Sequence, residues 1–221
     1  MPESLSRRSH KIKKAQIVFI VFMLLSASMF ITGSTYGEEK KSYAVLLQRV
    51  QAFDRTVDFR ALRLSYAETP EYNPYSNDID QDLMLSLLHD KRYEDALLVA
   101  RVILKDNYVN IDAHLVCEVI YDKMKNSEQS NYHRFVVQGL LDSIYASGDG
   151  STPEKAYVVI DVREEYSILD ANGLERIKYS TLRLGDHNYD KMEVRNIETG
   201  EKMLLFFNID IPYGWLTRKK E

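Results

Sequence analysis

The sequence predicts an α+β protein, with an N-terminal tetratricopeptide-like helical region followed by a small, mostly antiparallel β-sheet. Three observations predict it. Apolar residues before Ser147 recur every three or four positions, the period of one helix face. After Pro153 they alternate, and β-branched residues become more frequent. Between the two, Ser147-Gly148-Asp149-Gly150-Ser151-Thr152-Pro153 has the composition of a turn or short linker. The 221 residues therefore divide into a leader over 1–37, a helical domain over 38–147 and a β-rich domain over 148–221.

The leader carries Arg7, Arg8, Lys11, Lys13 and Lys14 against Glu3, a net of +4, and runs into an uncharged apolar stretch over 17–31. A basic flank, an apolar run and then small residues is the order of a secretory signal. Ser34 and Gly37 supply small side chains four and one residues before Glu38, a workable cleavage site. The stretch also comes close to the ~20 residues of a spanning helix, so an uncleaved anchor through 17–31 is the alternative. Either way the basic flank places the rest of the chain across the membrane, in the periplasm or outside the cell. With 29 basic and 33 acidic residues overall, the part after 37 holds 24 and 32, a net of −8. An acidic surface cannot neutralise phosphates, which argues against a nucleic-acid partner. The single cysteine, Cys117, excludes an internal disulfide and a cysteine-rich metal site.

In the helical half, Tyr43, Leu46, Leu47, Val50 and Phe53 mark a first helix, and Asp58 caps a second that contains Leu62 and Tyr66. Tyr72-Asn73-Pro74-Tyr75 is a loop. Helices follow near 79–89, 92–106, 110–125 and 129–146. Over 79–106, Leu83, Leu87, Tyr93, Ala96, Ala100 and Ile103 have the spacing of one tetratricopeptide hairpin, the small alanines permitting close helix approach. In the second half, 156–162 reads as a strand, 163–170 as a short helix or a strand, and 177–184, 189–196 and 202–209 as strands. The helix is preferred for 163–170 because Asn172-Gly173 supplies a left-handed stop.

A resemblance adds to this reading. Val57-Asp58-Phe59-Arg60-Ala61-Leu62-Arg63, the run from Tyr66 to Tyr75, Ser147-Gly148-Asp149-Gly150, Ala156-Tyr157, Glu164-Glu165-Tyr166, Tyr189-Asp190 and Phe206-Phe207-Asn208-Ile209 together resemble the secreted bacterial domain-of-unknown-function family 4919. The resemblance implies an exported bacterial protein of helices followed by strands, and it attaches no catalytic residue.

Candidate sites are few. Asp78-Ile79-Asp80-Gln81-Asp82 opens like a calcium loop, but Leu83 stands where glycine is needed and His89 where the bidentate acid belongs. His114 and Cys117 share a helix face and read as core packing, so no metal or cofactor is assigned. Glu164 and Glu165, being adjacent, point in different directions and read as solvated charge. Asp190 has the alternation phase of Met192 and Val194, and with His187 it is the weak candidate for acid–base chemistry, Glu165 assisting. Tyr66, Tyr72 and Tyr75, stiffened by Pro70 and Pro74, are the candidate binding residues for a protein, peptide or glycan. The leading expectation is a non-enzymatic interaction module of the cell envelope; the alternative is an envelope hydrolase using His187 and Asp190.

Overall fold

A computed structural model describes residues 42–75 and 78–218. The predicted leader and its apolar stretch lie outside these residues. Among these residues six helices come first: α1 (Tyr43–Gln51), α2 (Phe59–Tyr66), α3 (Asp78–His89), α4 (Tyr93–Asp106), α5 (Ile111–Lys123) and α6 (Ser127–Tyr145). A two-residue strand β1 (Tyr157–Val158), helix α7 (Val162–Ala171), strands β2 (Leu174–Leu184), β3 (His187–Asn196) and β4 (Lys202–Asn208), and a last helix α8 (Asp210–Arg218) complete the order. The α+β class, helices first and sheet second, holds.

Local chemistry starts the helices where the sequence places them. Asp58 accepts the Ala61 N–H at 2.9 Å, Asn110 that of Ala113 at 2.8 Å, and Asp161 that of Arg163 at 2.8 Å, each satisfying a donor that the first helical turn leaves open. In the α3–α4 hairpin, Ala96 and Ala100 are fully buried in a cluster with Met84, Ile103 and Ile120. A second, larger cluster joins Leu46, Leu62, Leu140 and Ile144 of the helices to Ile168, Met192, Leu205 and Phe207 of the β-rich half.

The four strands lie in the order β1-β4-β3-β2, antiparallel except for the β1–β4 pair. β2 and β3 form a hairpin closing at Leu184 opposite His187. The predicted strand over 156–162 shrinks to two residues for a local reason. Ile160 gives its N–H to Glu164 Oε2 at 2.8 Å and receives the Tyr72 hydroxyl on its carbonyl, so side chains replace the sheet partner there and the chain turns into α7. The α8 helix has no counterpart among the predicted elements, since Pro212 and Gly214 argue against one; proline is tolerated in a first turn, where it falls here.

The Ser147–Gly150 turn ties the two halves together. The N–H groups of Asp149 and Gly150 both bond the Lys155 carbonyl, at 3.0 and 2.8 Å, and the Gly150 carbonyl receives the Phe206 N–H at 2.9 Å. A Cβ on Gly148 would sit 2.1 Å from the Lys155 carbonyl oxygen, so the close backbone approach requires glycine.

Candidate functional site

Helix α7 is packed between α5 on one side and β2 on the other. A helix covered on two sides buries neighbouring residues that a surface helix would split between core and solvent. Glu164 and Glu165 are 4% and 0% exposed, which corrects their reading as solvated charge.

Glu164 turns toward the helices. Its Oε1 lies 3.0 Å from Arg63 Nε, off the N–H direction, so the attraction is Coulombic rather than a hydrogen bond. Arg63, 1% exposed, also donates from Nη1 to Ser143 Oγ at 2.7 Å and from Nη2 to the Val158 carbonyl. Burial pushes the Glu164 carboxyl up, and Arg63 opposes it. Arg63 was not singled out as a site, yet a signal exists. With Phe59, Leu62 and Tyr66 it occupies i, i+3, i+4 and i+7, a cation in the apolar phase of α2.

Glu165 turns toward the sheet, where Asp190 of β3 is 2% exposed. Asp190 accepts from Tyr179 Oη at 3.0 Å and Thr181 Oγ1 at 2.7 Å. Neither Glu165 oxygen meets a hydrogen-bond donor, and burial, followed by the Asp190 charge, pushes the Glu165 carboxyl up to about 9.

The structure thus unites Glu165 with Asp190 and parts His187 from both. His187 and Asp190 are three apart on one strand, which puts them on opposite faces. The partner of His187 is Asp210, with Nδ1 2.6 Å from Oδ2 and the side chain 61% exposed. Asp210 further accepts from Asn188 N–H at 2.7 Å and from the Asn188 and Asn208 side-chain amides, anchoring the start of α8 on β3 and lowering its own pKa.

The three tyrosines also separate. Tyr66 and Tyr72 are 3% and 4% exposed, their rings edge to face at 5.7 Å, and the Tyr72 hydroxyl holds the Ile160 carbonyl. A cavity of about 10 Å³ beside them has room for one water at most. Tyr75 is 39% exposed and rests against Trp215 of α8, ring centroids 5.8 Å apart. Trp215 is pinned by its indole N–H, which donates to the Tyr72 carbonyl at 2.8 Å. It forms one wall of an open groove of about 870 Å³, with Leu64, Pro70, Ile211, Asp210 and Arg218 among the lining residues. Trp215 went unnoticed because its element was not foreseen; its being the single tryptophan was the available signal.

A family model for a domain of unknown function (DUF4919) matches residues 35–214. The chain belongs to this family. No curated protein and no solved structure matches the chain. In this DUF4919 chain, several segments on which the resemblance rested meet at the buried network: Arg63, Tyr72, Glu164, Glu165 and Asp190 all fall within it. Among the described residues no three His, Cys, Asp or Glu side chains gather as a metal site, and no helix is long and apolar enough to cross a membrane.

Proposed function

We propose that this protein is an exported, non-enzymatic binding module of the cell envelope, and that it takes a peptide or glycan segment in the groove beside Trp215. The observation that carries the reading is the pinned indole. An aromatic wall held by its own N–H loses little entropy on binding, and the groove is of a size that binding clefts commonly have. The basic and apolar segment at the N-terminus supports export, and the sequence spacing over 79–106 resembles that of a tetratricopeptide unit, a common peptide-presenting device. Cells expressing the full chain should yield, outside the cytosol, protein lacking residues 1 to about 37. That protein should retain a saturable envelope component, and Trp215→Ala should lose it while remaining folded by circular dichroism. Absence of any saturable component, or retention unchanged by Trp215→Ala, would rule the groove out.

A second reading rests on His187. A carboxylate on Nδ1 orients an imidazole and leaves Nε2 as the basic nitrogen, the arrangement of a general base, with Asp210 in the role first expected of Asp190. If an envelope hydrolase is correct, a screen of ester, amide and glycoside substrates should find turnover that His187→Ala abolishes. Equal rates for both proteins would eliminate it.

A further inference from the structure

The Glu165–Asp190 contact belongs to neither reading. Two carboxyl groups from different layers, α7 and the core face of β3, meet at 0% and 2% exposure. The charged and titratable groups that act on them are Asp161 at the start of α7, Arg176 and Tyr179 of β2, and Tyr75 of the loop, while β4 sets the apolar Phe207 opposite Asp190. Arg176 is the one cation among these, and it is engaged elsewhere. It bonds the Tyr166 hydroxyl and lies over the Tyr166 and Tyr179 rings at 5.1 and 5.8 Å. Asp190 receives two hydroxyl donors, whereas both Glu165 oxygens are buried without any. A carboxylate with no donor and a second carboxylate beside it would be doubly penalised, by lost hydration and by repulsion; a carboxylic acid carries neither penalty.

We propose that Glu165 and Asp190 hold one proton between them, on Glu165, and that this proton is an alkali-sensitive latch joining α7 to the sheet. The pair then carries one negative charge, solvated by Tyr179 and Thr181, and Glu165 packs as a neutral group. The raised Glu165 pKa of about 9, against 4.5 for an unburied glutamate, agrees with this arrangement. Because the folded value is the higher one, the contribution is complete below pH 4.5 and is lost as pH rises toward 9. Tyr75, which feels both carboxyls, also rests on Trp215, so the latch and the aromatic wall of the groove share one neighbour.

Infrared spectroscopy of the whole folded protein tests this directly. The carbonyl stretch of a protonated carboxyl should be present at pH 7, disappear with a midpoint near 9, and be missing in Glu165→Gln, whose amide imitates the neutral acid in shape. In parallel, the wild-type folding constant should fall about tenfold per pH unit between pH 7 and 9 relative to Glu165→Gln. Asp190→Asn should move the midpoint of the band downward. No protonated-carboxyl band at pH 7, or identical pH slopes for wild type and Glu165→Gln, would overturn the latch. Calcium or magnesium chloride that abolishes the band and raises stability only in the wild type would overturn it too, by showing a cation where the proton is placed.

Discussion

Arg63→Met should destabilise the protein by about 3–5 kcal/mol, the usual cost of stranding one half of a buried ion pair. The cost arises because Glu164, 5% exposed as a side chain, loses its nearby cation while staying out of water. Ser143 Oγ and the Val158 carbonyl lose a donor at the same time. Glu164 still receives the Ile160 N–H, so α7 keeps its start, and the damage should fall on the seam between α2, α6 and β1. Denaturant unfolding of Arg63→Met, Glu164→Gln and the double variant checks this as a double-mutant cycle. The double variant should recover roughly half of the loss, because removing both charges also removes both desolvation penalties. A double-variant loss equal to the sum of the two single losses would mean that the pair is not coupled.

Acid should unfold this protein through two histidines. His114 and His133 are 0% and 8% exposed, their Nδ1 atoms 2.9 Å apart between α5 and α6. His114 Nε2 lies 2.9 Å from the Tyr108 carbonyl, which only accepts, so it carries a proton. Its Nδ1 is then the acceptor, and the donor is the Nδ1–H of His133. A proton added to His114 would leave two N–H groups facing each other. Burial and the neighbouring ring push His114 down to about 3, and burial pushes His133 to about 4, from 6.5. Since both folded values lie below the unfolded ones, the stabilisation is complete above pH 6.5 and is lost as pH falls toward 4. The two protons contribute a slope of about 2.7 kcal/mol per pH unit. Glu165 opposes this with about 1.4 kcal/mol per unit down to its unfolded value, and the raised Asp112 and Glu164 act in the same opposing sense. The two histidines and Glu165 by themselves therefore place the stability maximum near pH 6.5. Imidazole resonances of His114 and His133, followed by NMR, should remain neutral at pH 5 in the folded protein. Titration of either near pH 6.5 would refute the assignment.

Most of the element order was legible because it is written in short-range chemistry. The caps at Asp58 and Asn110, the alanines of the α3–α4 hairpin and the alternation around Met192 need only a few neighbouring residues to be recognised. The candidate site was legible one residue at a time but not as a set. Asp190 was placed correctly in the apolar phase, yet it was given a partner three residues away that a strand must turn to its other face. Its actual neighbour, Glu165, expected only in an assisting role, sits on a helix before the hairpin. Glu164 and Glu165 looked solvated because a pair of acids in a first helical turn usually is.

By itself, the sequence determined the helices-then-strands order, the acidic charge of the chain after residue 37, and the turn at 147–153, all of which follow from local periodicity and composition. Tertiary structure alone decided what each polar group meets. Arg63 finds Glu164, Tyr72 finds Ile160 and supports Trp215, and His187 finds Asp210, across separations that reach 143 residues. The physical reason is that α7 is covered by helices on one side and the sheet on the other, so burial comes from layers that its own sequence does not encode. Once buried, a carboxyl must acquire a cation or a proton, and whichever the second layer supplies decides its chemistry.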